Sequence, residues 1–313
     1  MSETAPPSAP SRTGLAEALG AYAIWGLIPL YFHPLARVPA FELVSWRALT
    51  SLPLCLVVLR LRGQFGEFRS GLANRRVLLA LCASALVVGA NWTGYVWAVA
   101  NGKVLAASLG YYINPLVNVA LGMVVLGERL RPRQWLAVGI AALGIGVLAA
   151  GALDTLAISL FLALSFGGYG LIRKLVPVGS VPGLAVETLV LLPLSLGLVG
   201  WYAVLPPGSA LRLGPGTAAL LIGSGVVTAA PLVLFAIAAR KLPLSTLGFA
   251  QFLSPTLQFL CGLVVFHETL QPVRLASFAL IWLAIGVFCA DVFLTARRDA
   301  SRRAPQRSSA ARA

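Results

Sequence analysis

From about residue 15 onward the chain alternates long apolar runs with short polar breaks. A helix crosses the hydrocarbon core of a bilayer with roughly 20 apolar residues. On that ruler ten runs qualify, at approximately 15–33, 40–60, 77–99, 104–126, 132–151, 154–173, 182–204, 216–239, 244–266 and 272–294. The breaks hold residues that stop helices or favour a membrane surface. They are Pro34 and Pro39, the arginine-rich 60–76 segment, Asn101-Gly102-Lys103, Pro132, Asp154, Pro177 to Pro182, Pro206-Pro207, Arg240-Lys241 with Pro243, and Pro272. The first run is followed by His33-Pro34 and not by a small-residue cleavage site, so it reads as a retained span and not a signal peptide. The pattern predicts an all-α membrane protein of ten transmembrane helices.

One stretch occurs twice. Pro115, Gly122, Glu128, Leu130, Pro132, Leu143, Ile145, Gly146 and Val147 return at a constant offset of 140 as Pro255, Gly262, Glu268, Leu270, Pro272, Leu283, Ile285, Gly286 and Val287. Eleven of the 33 positions from 115 to 147 are identical to their partners, including both prolines and the single acidic residue of each copy. This is an internal duplication. It divides the chain into a polar N-terminus (1–14), a first five-helix repeat (15–151), a second (154–292) and a basic tail (295–313). Five is odd, so the second repeat enters the membrane from the opposite side, and the expected architecture is a pair of inverted repeats.

Composition adds orientation and excludes other classes. The 313 residues are 58% hydrophobic and 11% charged, too apolar for a soluble domain, where about a quarter of residues are charged. With the N-terminus cytoplasmic, inner loops and tails hold 19 of the 24 basic residues, outer loops hold Arg37, Lys103, Arg212 and Arg274, and Arg47 lies within a helix. The positive-inside rule therefore puts both termini in the cytoplasm. The net charge of +14 is dispersed between spans and in the tail, which argues against nucleic acid as a partner. The tail from Arg297 to Arg312 reads as topogenic and lipid-facing. Cys55, Cys82, Cys261 and Cys289 stand singly in apolar runs and read as packing residues.

Several motifs now become informative together. Tyr22-Ala23-Ile24-Trp25-Gly26, Asn91-Trp92, Ala107 to Asn118, Leu126-Gly127-Glu128-Arg129, Tyr169 to Lys174, Glu187-Thr188 and Leu244 to Phe249 with Pro255-Thr256 resemble the RarD branch of the EamA-type permeases, in the drug/metabolite transporter superfamily. The resemblance covers about residues 14 to 294 and implies a ten-helix permease of the bacterial inner membrane with a central cavity. It implies no substrate: the RarD name is linked to chloramphenicol sensitivity, while related transporters export amino acids and other metabolites. Two positions depart from the pattern, Trp46 where His is expected and His267 where Gly is expected.

The candidate site comes from polar residues inside apolar helices. Tyr111, Asn114 and Asn118 correspond at the 140 offset to Gln251, Ser254 and Gln258, each set spaced i, i+3, i+7 on one helical face. Such groups are costly against lipid, so they face a cavity or bond neighbouring helices. Tyr22, Trp25, Asn91 and Tyr95 are helical neighbours that would suit a partly apolar solute or an organic cation in such a cavity, the alternative for each aromatic taken singly being packing or the interfacial belt. Arg47 and Glu187, also 140 apart, are intramembrane charges: either they pair across the repeats and gate access, or each snorkels to its own interface. Glu17 is a candidate for proton coupling, with interfacial snorkelling as the alternative. Glu128 and Glu268 precede prolines at helix starts and are expected to fix corners by accepting amide hydrogens from the helix that follows.

No enzyme motif is present. His267-Glu268-Thr269-Leu270-Gln271 lacks the second His of a zinc-protease pair, and no phosphate loop, nucleophile elbow or metal set occurs. The reading is a secondary-type permease, a non-enzyme without cofactor or metal, exporting small metabolites or drug-like solutes by alternating access, in contact with membrane lipid and either monomeric or homodimeric. The rival readings are a lipid-acting membrane enzyme and a non-transporting receptor or scaffold.

Overall fold

The computed structural model describes residues 11–100, 103–150, 156–206, 208–265, 267 and 272–310. Among these described residues, twelve α-helices run in the order α1 (Arg12–Phe32), α2 (Ala40–Leu61), α3 (Phe65–Ala73), α4 (Arg75–Ala100), α5 (Val104–Leu126), α6 (Pro132–Ala150), α7 (Leu156–Leu175), α8 (Ser180–Val204), α9 (Pro215–Lys241), α10 (Leu244–Gln251), α11 (Leu253–Val264) and α12 (Pro272–Ala310). Short 3-10 turns occupy His33–Leu35 and Ala210–Leu213. Among the described residues, ten segments are long and apolar enough to cross a membrane, with α10 and α11 together forming one. Their bounds fall within a few residues of the hydropathy reading.

Two features depart from it. The 60–76 segment contains its own helix, α3, too short to span and packed on α8 and α4. The ninth span is interrupted at Phe252, whose amide bonds Phe249 O in a tight i−3 turn at 3.3 Å. Pro255 lacks the N–H that would have reached Gln251 O, so the helix breaks where that carbonyl is released.

Helix ends follow their residue chemistry. Gly127 closes α5 in the left-handed region, φ 67°, and the Glu128 amide returns to Gly122 O at 2.9 Å. His267 occupies the corresponding position of the second copy and adopts the same backbone, φ 52°, without glycine's freedom. Pro132 and Pro215 start α6 and α9, where a missing N–H is harmless.

The helices pack in a definite set of pairs. α1 lies against α9 and the α10–α11 span, α2 against α8 and α9, α4 against α7 and α8, α5 against α7 and α10, and α6 against α12. Glycines permit the closest crossings. A methyl group on Gly248 of α10 would lie 2.6 Å from Pro115 O of α5, and one on Gly144 of α6 would lie 3.0 Å from Ser277 O of α12. Surface and interior are inverted relative to a soluble protein: Val124 and Val204 are 83% exposed, whereas Glu42, Ser84, Asn91, Asn118 and Glu187 are buried. That is the arrangement expected when lipid is the solvent.

Candidate functional site

A cavity of about 360 Å³ lies between α1, α2, α4, α5, α7, α9, α10 and α11. Its size falls in the range of about 300–1,000 Å³ usual for small-molecule sites. Tyr22 and Trp25 from α1, Arg47 from α2, Asn91, Trp92 and Tyr95 from α4, Tyr111 from α5, Phe166 from α7, Gln251 from α10, and Ser254 and Gln258 from α11 face it. Leu35, Ala36 and Val38 extend the lining up to the α1–α2 connection, so the cavity reaches that end of the molecule.

Of the residues singled out from sequence, Tyr22, Trp25, Asn91, Tyr95, Tyr111, Gln251, Ser254 and Gln258 line this one space. Asn114 and Asn118 do not. They are 1% exposed and hold two helices together: Asn118 Nδ2 donates to Gln251 Oε1 at 2.9 Å and to Asn114 Oδ1 at 3.2 Å. The glycine at 248 brings α10 close enough for this bond. The face is thus divided, its outer position open to the cavity and its inner positions serving as interhelical glue.

Other lining groups are fixed by the backbone. Asn91 Nδ2 donates to Leu162 O at 2.8 Å and Ser165 Oγ at 2.9 Å. Gln258 Nε2 donates to Trp25 O at 3.1 Å, tying α11 to α1.

Below the cavity, Tyr22, Trp25, Phe166, Tyr169 and Phe235 form an aromatic layer with ring centroids 5.4–6.3 Å apart. Trp92 and Phe32 wall the opposite side, with the Arg47 guanidinium carbon 5.1 Å and 5.2 Å from their ring centroids. Phe32, Trp92, Phe166 and Phe235 were not among the residues singled out from sequence. Trp92 adjoins Asn91 in a recognised motif, but aromatic residues are too common in membrane helices for periodicity to sort cavity walls from lipid contacts.

The two intramembrane charges have separate partners, so of the two alternatives left open by the sequence the Arg47–Glu187 bridge is not formed. Arg47 Nε donates to Thr228 Oγ1 at 2.9 Å, and Thr228 Oγ1 in turn donates to Ser224 O at 2.8 Å. Glu187 accepts from Ser84 Oγ at 2.6 Å and lies 3.6 Å from Arg173 Nε, both side chains of that ion pair being at most 2% exposed. Arg47 lies seven residues into α2 and Glu187 seven residues into α8, and each meets a different set of neighbouring helices. Arg173 is one of the 19 basic residues that the charge pattern assigns to the inner loops and tails. It folds back to bond Ser180 O at 3.0 Å, and Gly183 provides the room.

The end of the molecule opposite the cavity's reach is tied by polar contacts. Lys174 Nζ donates to Ala239 O and Leu242 O at the C-terminus of α9, Arg240 Nη1 to Val178 O at 2.8 Å, and the Gly179 amide to Glu67. Glu17 pairs with Lys241 at 2.7 Å near the surface. Glu128 caps a helix, though not the following one: its carboxylate accepts the Leu244 amide at 2.6 Å, the Ser245 amide at 3.0 Å and Ser245 Oγ at 2.7 Å, at the start of α10. The reason is geometric, because the left-handed turn at Gly127 aims the side chain back across α5 toward the neighbouring bundle element. Glu268 lies outside the described residues. Glu42, unremarked in the sequence, is fully buried and accepts Ser209 Oγ at 2.7 Å and the Ala210 amide at 3.0 Å.

A ten-span all-α bundle enclosing a small-molecule cavity is the form of a membrane transporter. Residues 12–150 match the EamA-like transporter family. An uncharacterized transporter of Pseudomonas aeruginosa is 48% identical over 92% of this chain and 96% of its own length. Protein RarD of Streptomyces exfoliatus is 44% identical over 93% of this chain and 92% of its own length. A solved crystal structure shares the fold at TM-score 0.71 and 18% identity, covering 88% of this chain and 98% of that one. The chain belongs to the EamA-like transporter family, as a RarD-type permease, a non-enzymatic multi-pass membrane protein.

Proposed function

We propose that the protein is a secondary-type permease of the bacterial inner membrane that exports small metabolites or drug-like solutes by alternating access between two inverted five-helix repeats, residues 15–151 and 154–292, with both termini cytoplasmic. The observation that carries this is the symmetry of the packing pairs. Counting the spans one to ten, the pair one–eight corresponds to six–three, one–nine to six–four, and two–eight to seven–three, while two–seven, four–nine and five–ten map onto themselves. These most extensive pairs are closed under a shift of five, as inverted repeats require, while among the described residues the slighter packing of six on eight has no one–three counterpart of similar extent.

The cavity sits where the repeats meet, between spans drawn from both halves. It reaches the α1–α2 connection, which is the outer side under the positive-inside orientation, while the aromatic layer and the Arg173–Glu187 pair close the inner side. This is the geometry of an outward-open state. Counterflow in proteoliposomes tests the reading: saturable exchange of a labelled solute supports it, and no exchange across a broad metabolite panel contradicts it.

A further inference from the structure

Arg47 has a feature that the transport reading does not by itself explain. Among the described residues the cavity lining includes no Asp, Glu, Lys or His, and Arg47 is the single charged residue described there. The described ion pairs are Arg131–Asp291, Arg173–Glu187 and Lys241–Glu17, and none neutralises it. Glu42, five residues earlier on the same helix, is turned away and consumed by Ser209 and Ala210.

The guanidinium is also held in one orientation. Phe32 and Trp92 each lie about 5 Å from its central carbon, and its Nε is spent on Thr228. The two terminal nitrogens have no described partner, yet they are not among the sealed, unpartnered buried atoms, so they keep access to the cavity. Nearby, Gln251 spends its oxygen on Asn118 and presents Nε2. A preoriented planar fork beside amide and phenol donors, with aromatic walls and no carboxylate, matches an oxyanion on an apolar body.

We propose that the cavity is built for an organic monoanion, a carboxylate with an aromatic or branched apolar body, bound by the terminal nitrogens of Arg47. This deepens the permease reading and rests on it for its physiological meaning. It also displaces the organic cation from the solutes that the aromatic residues alone would suit, since an organic cation would meet the uncompensated charge of Arg47. Tyr22, Trp25 and Phe166 form the surface against which the body packs, and Tyr95 and Tyr111 flank the carboxylate.

The test uses the full-length protein in lipid nanodiscs, titrated with phenylacetate, its neutral amide and phenethylammonium while tryptophan fluorescence is followed, since Trp25 and Trp92 line the cavity. Phenylacetate is expected to bind at least ~10-fold more tightly than the amide, the scale of a charge-assisted hydrogen bond, with the ammonium weakest. Arg47→Gln is expected to reduce phenylacetate to the amide's affinity, and Arg47→Lys to give an intermediate value. If Arg47→Gln does not fold, the three-probe comparison on the unaltered protein still decides. Equal affinities, preference for the ammonium, or no carboxylate binding overturn the proposal. Counterflow with the same protein reconstituted in proteoliposomes separates it from the broader reading. Anion binding without exchange of any solute leaves the anion site standing and removes the permease. Exchange of neutral or cationic solutes without anion preference does the reverse.

Discussion

The Arg173 guanidinium and the Glu187 carboxylate lie 3.6 Å apart in the interior of the helix bundle, and Ser84 Oγ donates to the same carboxylate oxygen at 2.6 Å. Their positions give them a structural and a conformational consequence. Arg173 closes α7, Glu187 lies within α8, and Ser84 belongs to α4, so three elements are joined at one point beneath the aromatic layer.

Removing one partner strands a buried charge, which costs about 3–5 kcal/mol in comparable buried pairs. Glu187→Leu alone is expected to lower thermal stability in detergent strongly. The double substitution Arg173→Met with Glu187→Leu is expected to recover most of the loss. Size-exclusion-monitored melting curves for the two single variants and the double variant measure the coupling directly. Additive losses would show that the two groups do not interact.

Asn118 and Gln251 share a hydrogen bond, but only Gln251 faces the cavity. Interhelical hydrogen bonds in membranes contribute about 0.6 kcal/mol on average, with a maximum near 1.7. Asn118→Leu and Gln251→Leu should therefore each destabilise by about 1 kcal/mol, with solute affinity falling markedly only for Gln251→Leu. A melting series beside a binding titration checks the split, and equal binding losses would contradict it.

The glycine crossings differ sharply in tolerance. Ala at 248 brings its methyl within 2.6 Å of Pro115 O, a backbone atom that cannot yield without parting α10 from α5. Ala at 139 meets nothing within 4 Å. Gly248→Ala is expected to destabilise by several-fold more than Gly139→Ala, read from the fraction of monodisperse protein after heating.

His267 holds a left-handed conformation, φ 52°, where the first copy has Gly127 at 67°. The left-handed region costs non-glycine residues about 1–2 kcal/mol. His267→Gly should raise stability by about 1 kcal/mol, less the entropy glycine loses on folding, and Gly127→Ala should lower it. Opposite signs in paired melting curves are the expected result.

These residues also show where sequence carries structure and where it does not. The ten spans were legible because lipid demands long apolar helices, and the 140-residue offset aligned His267 with Gly127 before any geometry was known. The polar positions on α5, α10 and α11 were legible as a group for the same reason. Their division was not: whether Asn118 faces Gln251 or open space depends on the separation of two helices, and Gly248 sets that separation. Likewise Arg173 reads as a surface cation, because nothing local to α7 reveals that Gly183 leaves a slot leading to Glu187. The short helix α3 lacks the length that hydropathy detects.

The central claim is that the cavity is the transport site, and proteoliposome counterflow on a cavity-filling variant tests it most directly. Val44 of α2 lines the cavity and is half-buried, so Val44→Trp fills the space without replacing a polar partner. The account predicts saturable exchange by the unaltered protein and its loss in Val44→Trp, with both proteins folded by melting curve. Unchanged exchange in the filled variant would contradict it.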